Sequence, residues 1–478
     1  MRLRAIRHCI PFAAICCGAL ALCSITSAGT SRYSFGDPVC IAAKLDSTQE
    51  RLFVSYFDDD AVVEIEMSTM TELRRFTVAS PGMIAIAPDD QYLYVTSSGW
   101  PQSSVVRVRV VDGEMDALSV SGDIGDVSID ESGDWLWIVH RTYPIPGQLA
   151  DLQEALRDYP DSGYLTKIAT STFSIAATIN TLPLPMSVWY SAYSNKVFVL
   201  HENEMKREDE SDPQGSVIGT WWADTLNWAG CTVGGMHESI RFRPTMACEW
   251  SADGQFLALP NPTECSPNYS LRVIDCEDNS IAFDLQIVDG YGKILNIKHV
   301  RKVPGSNILW AITNSERTGL GYSYCLARVD TETRDYQIFD GPEAVSAIGY
   351  GDVSDDCDTI FMPLIYTGEI VVWDAPNTPP VCFLSVVTPM PYIGPAPAEI
   401  EFDATGSYDP DPCDELTYEW DFDGDGIYGE PVDDSYTGDP DNPTHSYTAS
   451  YHGPVLLRLS DNHGSAMTCT VYVDVDII

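Results

Sequence analysis

A turn followed by an aromatic-rich strand recurs along most of this 478-residue chain, and that repeat restricts the fold more than any other feature. The clearest copies are APDDQYLYV at 87–95, DESGDWLWI at 130–138 and SADGQFLAL at 251–259, with weaker ones at 45–54, 191–199, 303–311 and 353–362. Asp, Ser and Gly supply the turn, and alternating large apolar residues supply a half-buried strand. Anchoring the strands at Phe53, Tyr94, Trp137, Phe198, Leu257, Leu309 and Phe361 gives spacings of 41, 43, 61, 59, 52 and 52 residues. A third strand follows each anchor, at 61–67, 104–111, 164–170, 216–222, 269–275, 324–330 and 368–374.

Seven units of about four short strands, none able to bury both faces alone, are expected to pack side by side and close into a ring. The alternative is a tandem of β-sandwiches. The copies resemble the YVTN-type, WD40-like repeats of surface proteins, through endings such as LRVID at 271–275 and the Ser/Pro-Asp-Gly/Asp turns. That resemblance implies a seven-bladed β-propeller over 37–375 and names a fold rather than an activity.

A Pro-rich linker, APNTPP at 375–380, precedes a different segment. It contains AEIEFDATGSYDPD at 398–411, LTYEWDFDGDG at 416–426, NPTHSY at 442–447 and VLLRLSDNHG at 455–464. In this order the motifs resemble a PKD domain, which implies an immunoglobulin-like β-sandwich over 376–478. The whole chain is therefore expected to be all-β: a seven-bladed β-propeller followed by a PKD-type sandwich. In such a sandwich Cys382 and Cys469 fall on the first and last strands, so the resemblance implies a disulfide between them. By the same resemblance, PKD domains accompany surface proteins and secreted hydrolases and contact protein or polysaccharide.

The first 28 residues read as a secretory signal peptide. Arg2, Arg4 and Arg7 precede an apolar run, and Thr26-Ser27-Ala28 offers small residues for cleavage. A retained anchor is the competing reading. Ten cysteines follow, an even number without a Cys-x-x-Cys pair, as expected for disulfides in an exported, extracellular, cell-surface or periplasmic chain.

Seventy acids against 27 bases give a net charge of −43, which argues against nucleic acid and anionic membranes as partners. The acids concentrate in the C-terminal segment, where Asp421-x-Asp423-x-Asp425-Gly426 alternates carboxylates before a glycine. A hard, oxygen-seeking Ca²⁺ ion suits that spacing, with Asp409 and Asp411 as further ligands from a neighbouring loop. A solvated acidic turn explains the same residues without an ion.

Histidines are few. His140 and His201 each end a second strand, at matching places in adjacent repeats, and are expected to lie near each other beside Glu202 and Glu204. Long segments follow both: 143–163, with a short helix expected at 148–159, and the charged run 202–212. Such a pair could hold a transition metal or carry a proton, or could simply bond to strand neighbours. Nucleophile-elbow, zinc-protease, P-loop and dinucleotide motifs are missing from the sequence. Two functions follow. One is an exported, non-enzymatic binding or adhesion protein with an extracellular protein or polysaccharide partner. The other is a secreted propeller enzyme, a lactonase-like hydrolase or lyase, working at the channel face through His140 and His201.

Overall fold

The computed structural model describes residues 29–36, 39–99, 102–142, 163–181, 185–201, 217–233, 248–249, 251, 253–260, 269–289, 292, 294–295, 297–313, 316–318, 321–344, 348–411, 413–433 and 435–478. The signal segment 1–28, the expected helix at 148–159 and the run at 202–212 lie outside these residues. The described residues form strands, turns and loops and contain no helix, so none is long and apolar enough to cross a membrane.

Seven propeller-like antiparallel sheets use residues 29–374. The first runs in chain order through Cys40–Leu45, Arg51–Tyr56, Ala61–Glu66 and Thr71–Thr77. The second runs from Pro81–Ile86 to Met115–Ser121, the third from Asp123–Ile129 to Ser174–Asn180, and the fourth from Pro185–Ser191 to Trp228–Val233. The fifth runs from Cys248–Glu249 to Ile281–Leu285, and the sixth from Ile297–Lys302 to Tyr336–Ala344.

The repeated turn explains itself in hydrogen bonds. Its first residue accepts from the backbone N–H that opens the second strand: Asp46 from Arg51 at 3.1 Å, Asp130 from Trp135 at 3.0 Å, Ser251 from Phe256 at 3.0 Å and Ser354 from Thr359 at 3.1 Å. A short polar side chain at that place satisfies a donor that the ladder cannot reach. Three residues on, the chain turns left-handed, at Gln49 (φ 59°), Asp90 (φ 57°), Gly133 (φ 74°), Gly254 (φ 73°) and Cys357 (φ 67°). Gly and Asp tolerate that region well, and three of these five copies carry one of them there.

Between sheets the apolar faces interlock. Phe53 and Val62 meet Leu93 and Val95, Phe198 meets Leu257 and Leu259, and Trp310 and Ile312 meet Ile360 and Trp373. Each fully buried large side chain contributes about 1.5–3 kcal/mol of transfer free energy. Innermost strands touch in succession: Cys40–Leu45 on Pro81–Ile86, that on Asp123–Ile129, and that on Pro185–Ser191. The Phe198 cluster joins the fourth sheet to the fifth, Cys248–Glu249 touches Ile297–Lys302, that touches Asp352–Val353, and Asp352–Val353 returns to Cys40–Leu45, so the series closes on itself.

Closure has a second component. Gly29–Ser34 pairs antiparallel with Glu369–Asp374 and becomes the outer strand of the seventh sheet, beside Thr359–Pro363 and Asp352–Val353. The chain's two ends of the ring are thereby hydrogen-bonded into one sheet. The sequence reading began the ring at 37 and left this strand out.

Residues 385–477 form two more four-stranded sheets. One orders Ser385–Val386, Ala398–Asp403, Asn442–Tyr447 and Tyr436–Asp439; the other orders Tyr392–Gly394, Ala466–Ile477, Tyr451–Ser460 and Thr417–Asp421. Both contribute to one core containing Ile400, Phe402, Trp420, Phe422, Val455 and Val473. Trp420 and Tyr447 keep their polar ends bonded, Nε1 to Pro440 O at 2.9 Å and the hydroxyl to Phe422 O at 2.9 Å. Cys382 and Cys469 are joined across this module with Cα atoms 5.9 Å apart, the pair the sequence resemblance implied.

Candidate metal centre at the joint

Where the ring meets the C-terminal module, carboxylates crowd together. The turn 354–359 of the seventh sheet faces the loop 409–414 of the module, and Cys357 is disulfide-bonded to Cys413 with Cα atoms 5.8 Å apart. Arg328, on Gly321–Asp330, reaches into the same place and is almost fully buried. Its guanidinium donates to Asp411 at 2.5 Å, Asp358 at 3.2 Å and Gln337 at 3.0 Å, and lies 5.4 Å from the Phe339 ring centroid. Asp411 is further held by the Thr378 N–H at 2.5 Å.

Around that pair stand Asp409, Asp414, Asp461 and His463. Nδ1 of His463 lies 3.0 Å from Asp414 Oδ1, and its Nε2 lies 3.8 Å from Asp358 Oδ2. Asn377 donates to Asp461 at 3.0 Å, and Asp461 accepts in turn from the N–H groups of His463 and Ser465. Five carboxylates thus share one buried guanidinium and one imidazole. Ligand oxygens of Asp409, Asp411 and Asp414 lie within 4.8 Å of one another.

Two of those oxygens are the telling ones. Asp409 Oδ2 and Asp414 Oδ2 are shut away from solvent with no hydrogen-bond donor, and the Asp414 side chain is only 1% exposed. A buried acceptor left without a partner costs free energy that a cation would recover. The electrostatics agree. Burial, then the neighbouring acids, pushes the Asp409 carboxyl up to about 6, and burial pushes Asp358 up to about 7 against the pull of Arg328. Burial raises Asp414 as well, opposed by His463. Oxygen donors at this density fit a hard divalent ion.

The expected calcium set is divided by the structure. Asp409 and Asp411 belong to the joint with Asp414, whereas Asp421, Asp423 and Asp425 form a separate group in the turn after Thr417–Asp421. Asp421 is fully buried, and its two oxygens accept from Gly424 N at 2.6 Å and Gly426 N at 2.8 Å. Both glycines are left-handed, at φ 71° and 89°. This carboxylate already ties the turn together, while Asp423 and Asp425 are exposed.

His140 is spent on neighbours in its own sheet and in the one before it. Nδ1 is 2.9 Å from Ser121 O, Nε2 is 2.9 Å from Thr166 Oγ1, and the ring stacks on Tyr164 with centroids 5.0 Å apart. Burial holds its pKa below the ordinary value. His201 is equally buried and packs against Trp221, on the neighbouring strand. Neither histidine joins a group of three ligating side chains among the described residues, and Glu202 lies outside them. Strand-end position puts both rings into the packing between strands.

Sequence reasoning missed Asp414, Asp358, His463 and the Cys357–Cys413 link. Cys357 did carry a signal, since it fills the turn position that the other copies give to Gly, Asp or Gln.

No family model matches the chain, and no curated relative does. Among solved structures, the Kuenenia stuttgartiensis hydrazine synthase structure matches with a TM-score of 0.53 and 14% identity, over 72% of this chain and 97% of that one. The WD40 repeats of RRP9 match with a TM-score of 0.51 and 6% identity, over 72% and 97%. At such identities the likeness shows fold alone. Joined to the sheet succession and its closing strand, it shows that this chain contains a β-propeller.

Proposed function

We propose that the chain is an exported, non-enzymatic binding protein: a seven-bladed propeller of YVTN-like repeats carries the recognition face, and a calcium-stiffened, PKD-like immunoglobulin-type module is fixed to its edge. The observation that carries this reading is the joint, where Cys357–Cys413 and the buried Arg328 clamp propeller and module around carboxylate oxygens that are buried without a hydrogen-bond donor. A rigid platform with a fixed spacer serves presentation to a partner.

Loop lengths support a place for the partner on the face of the second-to-third strand connections. In the first two sheets only four residues connect the second strand to the third, at 57–60 and 98–101. In the third and fourth sheets the same connections span 142–162 and 202–216. Long loops on a rigid scaffold are where binding residues concentrate. Acids outnumber bases in both, so the partner is an extracellular protein or polysaccharide with a basic surface. Calcium belongs to the Asp409, Asp411 and Asp414 group, with the Asp421, Asp423 and Asp425 turn as a weaker second site.

An array of extracellular glycans and basic peptides, probed with the labelled chain, tests this. Binding is expected, and is expected to vanish when both long connections are replaced by four-residue turns in a chain that still unfolds at the wild-type urea midpoint. Array binding that survives the replacement contradicts the assignment of the recognition face.

A further inference from the structure

The closing strand ends at an unusual place. Gly29 pairs with Asp374, and a Cβ on Gly29 would stand 3.0 Å from Asp374 Oδ2. Asp374 also lines a cavity of about 300 Å³ together with Gln49, Met67, Met70, Asp355 and Asp356. Three carboxylates therefore face this cavity, and no Lys, Arg or His is among the residues lining it. Burial, followed by the nearby Asp356, raises the Asp374 carboxyl above its ordinary value, while a bond from Thr359 lowers it. Strand Gly29–Ser34 itself is largely exposed, with Tyr33 packing partly buried against the core between the first and seventh sheets. Apart from its ladder bonds, it is tied to the ring by Arg32, 3.3 Å from Glu369.

Residues 1–28 attach to the chain at this point, and Thr26-Ser27-Ala28 is the cleavage pattern noted in the sequence. We infer that removal of the leader after Ala28 creates an α-ammonium on Gly29 that pairs with Asp374 and locks the propeller's closing strand, so that maturation completes the fold. Water adds across the Ala28–Gly29 peptide bond under an export peptidase. The C–N bond breaks, the hydroxyl goes to the Ala28 carbonyl carbon, and the nitrogen keeps its electron pair and takes one proton from the water and a second from the new Ala28 carboxyl, leaving a carboxylate and an ammonium. While the leader remains, that nitrogen is a neutral amide and cannot form the pair. The inference rests on the export reading, but the two can fail separately.

The test uses full-length mature chains, one starting at Gly29 and one carrying two extra residues before it, each as wild type and as Asp374→Asn. The first readout is the pH dependence of Nα acylation in the folded chain. The amine is expected to titrate above its ordinary value of about 8, and to return to it in Asp374→Asn. The second is the unfolding rate. The chain starting at Gly29 is expected to unfold ~2- to 5-fold more slowly than the extended chain near neutral pH, as for a partly exposed ion pair. Because pairing raises the amine's folded-state pKa, this advantage is present near neutral pH and is lost as pH rises through the raised value; it is lost again on acidification, as the Asp374 carboxyl takes up its proton. It is also expected to be absent in Asp374→Asn. An ordinary amine pKa that ignores Asp374→Asn, or equal unfolding rates for the two chains, overturns the inference. So does protection of the Gly29 chain by butylammonium, which would give the cavity to an outside amine. Intact mass of the chain recovered from an exporting host reads the cleavage itself: a start other than Gly29 refutes processing there, whatever the paired chains show.

Discussion

Arg328→Met is the sharpest perturbation of the joint. The guanidinium is almost fully buried, as are Asp411 and Asp358, so little solvent screens the two ion pairs at 2.5 and 3.2 Å. Methionine keeps most of the packing on Trp310 and Phe339 and removes the charge. Breaking a buried pair from one side costs about 3–5 kcal/mol, because the remaining carboxylates stay desolvated and unpaired. Lost cation–π attraction to Phe339 adds about 0.5–1 kcal/mol. A destabilisation of about 4 kcal/mol is therefore expected without calcium. It is expected to be smaller with saturating calcium, since a neighbouring divalent ion takes over part of the compensation. Urea unfolding, followed by tryptophan fluorescence with chelator and with calcium, reads both values; guanidinium chloride is avoided because it screens charge. A loss below about 1 kcal/mol in chelator would refute the reasoning, because solvated surface pairs cost that little.

Other predictions concern separate parts of the chain. Replacing Cys357 and Cys413 together with serine opens a loop of 56-residue separation and is expected to cost about 4 kcal/mol on the chain-entropy model, measured by urea unfolding. Burial, opposed by bonds from Ser187, Val188 and Val127, raises the Asp126 carboxyl to about 6. Its folded pKa exceeds the unfolded one, so folding favours the proton, and stability is expected to fall by up to about 3 kcal/mol as pH rises from about 4 through 6. The slope of stability against pH in that window is expected to flatten in Asp126→Asn. His140→Ala leaves Ser121 O without its side-chain partner and Thr166 Oγ1 with Thr178 alone, and is expected to cost about 1–3 kcal/mol by urea unfolding while leaving array binding unchanged.

Local chemistry was the legible part. DESGDWLWI at 130–138 contains its own instructions: an acceptor for the strand's first N–H, a glycine where φ is positive, then alternating large residues. The strand found there, Trp135–Arg141, follows from them. Cys382–Cys469 was legible for a different reason: the resemblance carried by the motif order implied the pair, although Cys382 sits just before the first strand, Ser385–Val386, and only Cys469 lies on a strand, Ala466–Ile477. Gly29–Ser34 was not, because an outermost strand is held by ladder hydrogen bonds and its residues need no apolar alternation. The joint was illegible as well. Arg328, Asp358 and Asp411 are far apart in sequence, and only the packing of one domain edge on another brings them into contact. Asp409 and Asp421 looked like one ligand set because they are close along the chain, but a turn and a strand separate their side chains into two groups.

Calorimetric titration of calcium into the chelator-stripped mature chain reads directly whether the joint holds the ion. Wild type is compared with the Asp409→Asn/Asp414→Asn double variant and with Asp423→Asn/Asp425→Asn. The account predicts a tight site in wild type that persists when Asp423 and Asp425 are changed and disappears when Asp409 and Asp414 are changed. It also predicts that the Asp409/Asp414 variant, relieved of crowded buried charge, is the more stable chain in chelator and the less stable one in calcium. Calcium binding that is lost with Asp423 and Asp425 and indifferent to Asp409 and Asp414 would contradict the account.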